Sequence, residues 1–270
     1  HFIDVPTGLL AGAVCMWAWP LQDSPPWRVS HGARRSHMGL GSAYLVGAAL
    51  LAMVAWSVGE AWSRMAWWLW WPAVSCLWVG LAYVRWGHAV FQKGPQGQHA
   101  VATALLLAPL RMFAWLNARC WTWRWPSSVA IADQVWLGRL PLPWEADHRR
   151  FERVLDLTAE LSLRHPGTLS LPMLDLSPPS ARQLLDAADH VQSMVERMGA
   201  DDKLLVSCAL GVSRSAAVVM AWLVISGRCA SLDAAEAWVR AKRPQVVLRP
   251  ALKAAIAQAI DAASEPEQGA

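Results

Sequence analysis

The chain has 270 residues and a net charge of +4 with no long basic run, which allows one or two domains and argues against a nucleic-acid partner. Composition divides it: fifteen of the nineteen Trp precede residue 126, while 32 of the 44 charged residues follow it. The first part therefore reads as membrane-like and the second as soluble-like. The five Cys (Cys15, Cys76, Cys120, Cys208 and Cys229) show neither a metal-ligand spacing nor a disulfide framework.

In chain order, there is no initiator Met, and His1–Asp4 leads directly into an apolar segment, as expected for a piece of something longer. Thr7–Leu21 reads as the end of a membrane helix. Asp23–His37, with Pro25-Pro26, Arg28, Arg34 and Arg35, reads as a basic loop on the cytoplasmic side. Residues 38–59 contain no Asp, Glu, Lys or Arg and are long enough to span, since about 20 residues suffice. After the short turn Glu60–Arg64, residues 65–84 form a second charge-free run, with Trp67, Trp68, Trp70 and Trp71 placed like an interfacial aromatic belt. The two spans make a hairpin, with Arg85, His88 and Lys93 on the return side.

Residues 100–118 are expected to lie at the interface rather than to form a third span. Their apolar run, Ala100–Leu110, is short and contains Pro109, and Arg111, Asn117, Arg119 and Arg124 soon follow. The choice decides which side the C-terminal half faces, and the interfacial reading makes it cytoplasmic.

From Pro126 the pattern becomes short apolar runs alternating with amphipathic helices, an α/β grammar. Strands are expected at Val129–Ile131, Gln134–Leu137, Arg153–Leu157, Leu169–Leu174 and Leu204–Val206. Helices are expected from Ser180 to about Met198, over Arg214–Ser226, over Ser231–Lys242, and over Pro250–Ala262 with Pro in its first turn. The expected organisation is a membrane region over 1–125, an α/β domain over 126–263 and a disordered tail over 264–270. No internal repeat is present.

Chemistry concentrates in Leu204–Ser215, LLVSCALGVSRS. A strand that ends in a tight loop opening a helix aims backbone N–H groups and the positive end of the helix dipole at one point. Ala209, Leu210, Gly211, Val212 and Ser213 would cradle an anion through the backbone, as a nest. Cys208 at the loop's start would lose its proton readily beside a helix N-terminus and an Arg. Arg214 at its end suits bidentate contact with phosphate. A nucleophile for phosphorus is the preferred reading over a buried structural thiol. Ser215 is placed to hydrogen-bond the sulfur, or else is only a helix-start hydroxyl. Ser213 has a weaker claim.

C-x5-R followed by Ser, with Gly at the third position after the Cys, resembles the signature loop of the protein tyrosine and dual-specificity phosphatases. The resemblance covers about Val129–Ala262. It implies a dual-specificity-phosphatase-like α/β domain, a mostly parallel sheet flanked by helices, that uses a phosphocysteine intermediate and needs no cofactor or metal. The family usually has His before the Cys, where this chain has Ser207. The family also places a general-acid Asp on a loop upstream. Asp175, in LDLSPP and 33 residues before Cys208, fits that place, with Asp156 as the rival inside a strand. His148, His165 and His190 are scattered and show no ligand spacing. Arg243 and Arg249, each before a Pro, read either as pocket-lining cations or as helix caps. More faintly, His1–Asp4 with Gly8 and Gly12 resembles the last motif of the type-2 phosphatidic acid phosphatases; the rest of that site is absent.

These readings lead to a membrane-anchored phosphatase acting on phosphorylated protein. A lipid-phosphate phosphatase of phosphatidylglycerophosphate or phosphoinositide type is the alternative, and an inactive phospho-binding membrane module is a third. The expected location is a bacterial-type inner or plasma membrane, with the thiol in a reducing compartment and the bilayer as a partner.

Overall fold

The computed structural model describes residues 4–18, 38–61, 63–132 and 134–264. The basic loop expected within Asp23–His37, residues 1–3 and the tail from 265 lie outside the described residues. Contacts divide the chain into two units, residues 1–94 with 99–116 and residues 95–98 with 117–270.

The first unit is helical. It contains α1 (Asp4–Ala18), α2 (Met38–Ala61), α3 (Ser63–Leu81), a π turn at Ala82–Trp86, a 3-10 turn at Gly87–Phe91, α4 (Val101–Leu106) and the first part of α5 (Ala108–Thr122). Among the described residues one helix, Met38–Val58 within α2, is long and apolar enough to cross a membrane by length and composition. Only 17% of that window is buried within the protein. Its exposed side chains include Val46, Leu50, Met53, Val54 and Trp56, an apolar surface that water covers at a cost of roughly 25 cal/mol per Å². On its inner side Tyr44 stacks on Tyr83, with ring centroids 5.7 Å apart.

The short elements after α3 are tied down by polar contacts that satisfy buried backbone. Trp17 donates through Nε1 to Val90 O at 2.8 Å, and Gln92 Nε2 donates to Trp17 O at 2.7 Å. Ser75 Oγ donates to Leu106 O at 2.6 Å. The Ala100–Leu110 run breaks at Leu107, leaving a six-residue α4 and a fifteen-residue α5. Neither reaches the roughly 20 residues a span requires.

The second unit is a five-stranded sheet of order β1-β2-β5-β3-β4, with β1 (Ser128–Ala132), β2 (Val135–Arg139), β3 (Arg153–Thr158), β4 (Thr168–Met173) and β5 (Leu204–Cys208). β1 runs antiparallel to β2, and all other pairs are parallel. It is the α/β fold expected from the strand and helix alternation. β5 is central and buries all five residues, which explains its unbroken apolar start; each fully buried Leu or Val there contributes about 1.5–3 kcal/mol.

Helices α7 (Ala181–Arg197), α8 (Arg214–Ile225) and α10 (Pro250–Ser264) pack together, and α9 (Leu232–Lys242) packs beside β1. A five-residue α6 (Ala146–Arg150) has no counterpart in the sequence-based expectations. α7 starts with a capping box in which Ser180 Oγ accepts from Gln183 N and Gln183 Oε1 accepts from Ser180 N. α8 buries ten successive residues, Arg214 through Leu223, so it is the core helix behind the strand. Pro95–Gln98 joins this unit through Ser170 N donating to Pro95 O and Leu163 N donating to Gly97 O.

In this strand order β5 lies between β2 and β3, so the chain leaves the sheet in different directions around the carboxyl end of β5. Ligand sites of open α/β sheets form at such points. Register places Arg139 of β2 beside Cys208, and Asp156 of β3 beside Ser207. Residues just beyond β3 and β4, Glu160 and Asp175, therefore emerge at the same end of the sheet.

Candidate active site

Cys208 ends β5 and is 2% exposed. Gly211 N–H donates to its Sγ at 3.3 Å, and Ser215 Oγ–H donates to Sγ at 3.2 Å. Burial alone would push the thiol up. The Arg214 guanidinium, the Ser215 hydroxyl and the backbone N–H groups of Ser215 and Ser213 outweigh it, and the pKa lies below the ordinary thiol value. Ser207, where the expected family pattern has His, is fully buried and donates from Oγ to Leu155 O at 3.3 Å. The thiol's stabilisers all come from the loop and the start of α8.

The loop turns because Gly211 adopts φ +70. A Cβ there would run into the Gly138 carbonyl group and lie 2.6 Å from Arg139 N, backbone atoms with no side chain to turn aside. Gly138 lacks a Cβ for a related reason: one would meet Ser127 O at 2.6 Å. Gly211→Ala should therefore swing the loop and take its N–H off the sulfur. Iodoacetamide labelling of Cys208 at mildly acidic pH should fall by about tenfold, on the scale of one pKa unit. Unchanged labelling would show that the loop tolerates the shift.

Arg214 is 3% exposed and holds most of its N–H groups in fixed bonds. Glu160 grips it bidentately, with Nη2 to Oε1 at 2.6 Å and Nη1 to Oε2 at 3.0 Å. Nη1 also donates to Met173 O at 2.8 Å, and Nη2 lies 3.1 Å from Asp175 Oδ1. Burial would push the guanidinium down, but Glu160, Asp175 and the Cys208 sulfur raise it well above its ordinary value. Its buried Nε–H has no partner among the described residues and is free to donate to a ligand.

Asp175 follows β4, with Leu176 next at φ +55, and its side chain is 46% exposed. Asp156 is fully buried instead, and its Oδ1 accepts from Thr158 N at 2.9 Å and Thr158 Oγ1 at 2.8 Å. It braces the end of β3. The structure thus brings Cys208, Ser215, Arg214 and Asp175 to one end of the sheet. Ala209, Leu210, Gly211, Val212 and Ser213 form the connecting loop.

Nothing in the sequence singles out Glu160, one acid in the TAE turn after a strand. Its only local signal is its place past the carboxyl end of a strand next to β5. Arg243 sits behind the loop, donating to Leu210 O and Pro126 O, both at 3.1 Å. Arg249 serves the next helix: its carbonyl accepts from Leu252 N and Lys253 N. Among the described residues no group of three or more His, Cys, Asp or Glu could hold a metal ion.

Residues 145–261 match the family model described as dual specificity phosphatase, catalytic domain. Among solved structures, the active form of Tk-PTP is 30% identical, covering 51% of this chain and 98% of that one, with a TM-score of 0.45. Human DUSP28 is 23% identical over 51% of this chain and 95% of its own, with a TM-score of 0.43. PTPMT1 in complex with PI(5)P is 19% identical over 52% of this chain and 97% of its own, with a TM-score of 0.44. No curated protein sequence matches the chain.

Proposed function

The chain belongs, through residues 145–261, to the dual specificity phosphatases, and we propose that it is a membrane-anchored enzyme hydrolysing phosphomonoesters of phosphorylated protein through a phosphocysteine intermediate. The observation that carries this reading is Cys208: a buried sulfur that accepts hydrogen bonds from Gly211 N and Ser215 Oγ, with the Arg214 guanidinium close by.

In the first step the Cys208 thiolate attacks phosphorus, and the bond to the leaving oxygen breaks as protonated Asp175 gives that oxygen its proton. Arg214 offers its Nε–H and Nη2 to two phosphoryl oxygens, with Asp175 yielding its place on Nη2. The N–H groups of Ala209–Ser213 take the remaining charge, a preorganised arrangement that costs no reorganisation in the transition state. In the second step water attacks the phosphocysteine and passes its proton to Asp175. The sulfur leaves as a thiolate, received by the Ser215 hydroxyl.

The anchor is assigned to α2, whose Met38–Val58 window is long enough, apolar enough and exposed enough to lie in lipid. With α3 taken as the return span of the expected hairpin, the shortness of α4 and α5 supports an interfacial course after it, which keeps the catalytic unit on the reducing, cytoplasmic side. An uncharged loop interior favours phosphoprotein over polyphosphorylated lipid.

The test is rapid acid quenching of the purified chain in detergent with a phosphotyrosine peptide, a phosphothreonine peptide and phosphatidylglycerophosphate vesicles, followed by peptide mass spectrometry. Phosphate on Cys208 from the peptides is the expected result, and phosphate from the vesicles alone would move the substrate to lipid. No phosphate on Cys208 from any of them would sink the reading. Asp175→Asn should lower kcat on the peptides by about a hundredfold, with a smaller loss on an aryl phosphate whose leaving group needs no proton.

A further inference from the structure

Two carbonyls of the phosphate loop are turned backwards and held from behind. Leu210 O accepts from Arg243 Nη2 at 3.1 Å, and Val212 O accepts from Val247 N at 2.9 Å. Both donors belong to the segment that follows α9. The Leu210 contact matters most, because the same peptide unit carries the Gly211 N–H that donates to Cys208 Sγ at 3.3 Å. That peptide abuts the one residue of the loop with positive φ and no Cβ, where backbone rotation meets least resistance. Turned over, it would present a carbonyl oxygen to the sulfur and repel a thiolate.

Arg243 itself is an expensive residue to place here. It is 1% exposed, its Nη1 is spent on Pro126 O, and its buried Nε has no partner among the described residues. Burying a cation with no carboxylate beside it carries a large desolvation cost. Burial lowers the Arg243 pKa and neighbouring Arg139 of β2 lowers it further, while the Cys208 sulfur is the group that raises it. Other charges near the sulfur are those of Arg214 at the start of α8 and of its partners Glu160 after β3 and Asp175 after β4.

We propose that Arg243 is a positioning residue for the nucleophile: it locks the Leu210–Gly211 peptide with its carbonyl turned back and its N–H on Cys208 Sγ. The buried cation and the thiolate support each other through one polarised peptide. This rests on Cys208 as nucleophile and extends the site to a residue that touches neither sulfur nor substrate.

The experiment is iodoacetamide labelling of Cys208 across pH in the full chain in detergent, followed by peptide mass spectrometry, for wild type, Arg243→Met and Arg243→Lys. The labelling midpoint should rise by about one unit in Arg243→Met, about tenfold in rate at acidic pH. Arg243→Lys keeps a charge but not the two-carbonyl bridge, and should fall between. If Arg243→Met does not fold, the Arg243→Lys profile decides. Superimposed profiles at a low midpoint would overturn the inference alone. A wild-type midpoint in the ordinary thiol range would overturn both the inference and the role of Cys208.

Discussion

Cys208→Ser should abolish turnover, lowering kcat on the order of 10⁴-fold or more, as removal of a covalent nucleophile does. The hydroxyl would occupy the same place and accept the same hydrogen bonds, but stays protonated and is a far weaker nucleophile. Arg214 and the loop N–H groups remain, so substrate should still bind, and a tightly held but unturned phosphopeptide is the signature to measure by calorimetry. The pH profile supplies a second readout. Because the Cys208 pKa lies below the ordinary thiol value, the acid limb of kcat/KM should already reach its plateau before a free thiol would ionise. The same shift links to stability. The folded thiol releases its proton before the unfolded one, so its contribution is complete above the unfolded pKa and is lost as pH falls through the folded value. Activity that survives Cys208→Ser would remove the phosphocysteine mechanism.

The part of this site written in consecutive residues was legible. Cys208, Gly211, Arg214 and Ser215 share one strand–loop–helix unit, so local spacing alone sets their geometry. Ser180 and Ser231 announced their helices in the same way, each accepting from a backbone N–H three residues on. Asp175 was reachable because a loop between strand and helix is visible in the pattern.

What escaped depends on strand order. Glu160 meets Arg214 because β3 lies parallel beside β5, a pairing no periodicity reveals. Arg243, before a Pro, reads in the sequence equally as a pocket-lining cation or a helix cap, since only tertiary packing turns its guanidinium onto Leu210 O. Pro95–Gln98 bonds to residues near 163 and 170, a contact across about seventy positions with no signal in composition. The apolar character of residues 38–58 was plain in the sequence, and the structure adds that this helix leaves most of its surface uncovered.

Glu160 carries the second large prediction. With Arg214 at 3% and Glu160 at 13% side-chain exposure, this pair is desolvated and bidentate. Removing Glu160 takes the bidentate carboxylate from a buried cation and leaves it only the more exposed Asp175, at about 3 kcal/mol, the low end for a broken buried pair. Glu160→Ala should therefore lower hydrogen-exchange protection of the β3 and β5 amides by roughly a hundredfold or more. It should also change the chemistry. Asp175, 3.1 Å from Nη2, becomes the remaining carboxylate on Arg214. Drawn onto the guanidinium, it would hold the edge that phosphate needs and be unavailable as an acid. Both kcat and kcat/KM should then fall, each by about a hundredfold, the size expected when a clamp is misplaced by about an ångström. Glu160→Gln keeps the shape and one acceptor but not the charge, so it should lose less protection than Ala and still be slow. Adding Asp175→Asn to Glu160→Ala should cost much less than it does in wild type, because the acid is already out of use. Fully additive losses, or a Glu160→Ala protein with wild-type kcat, would show that Glu160 only fills space beside the loop.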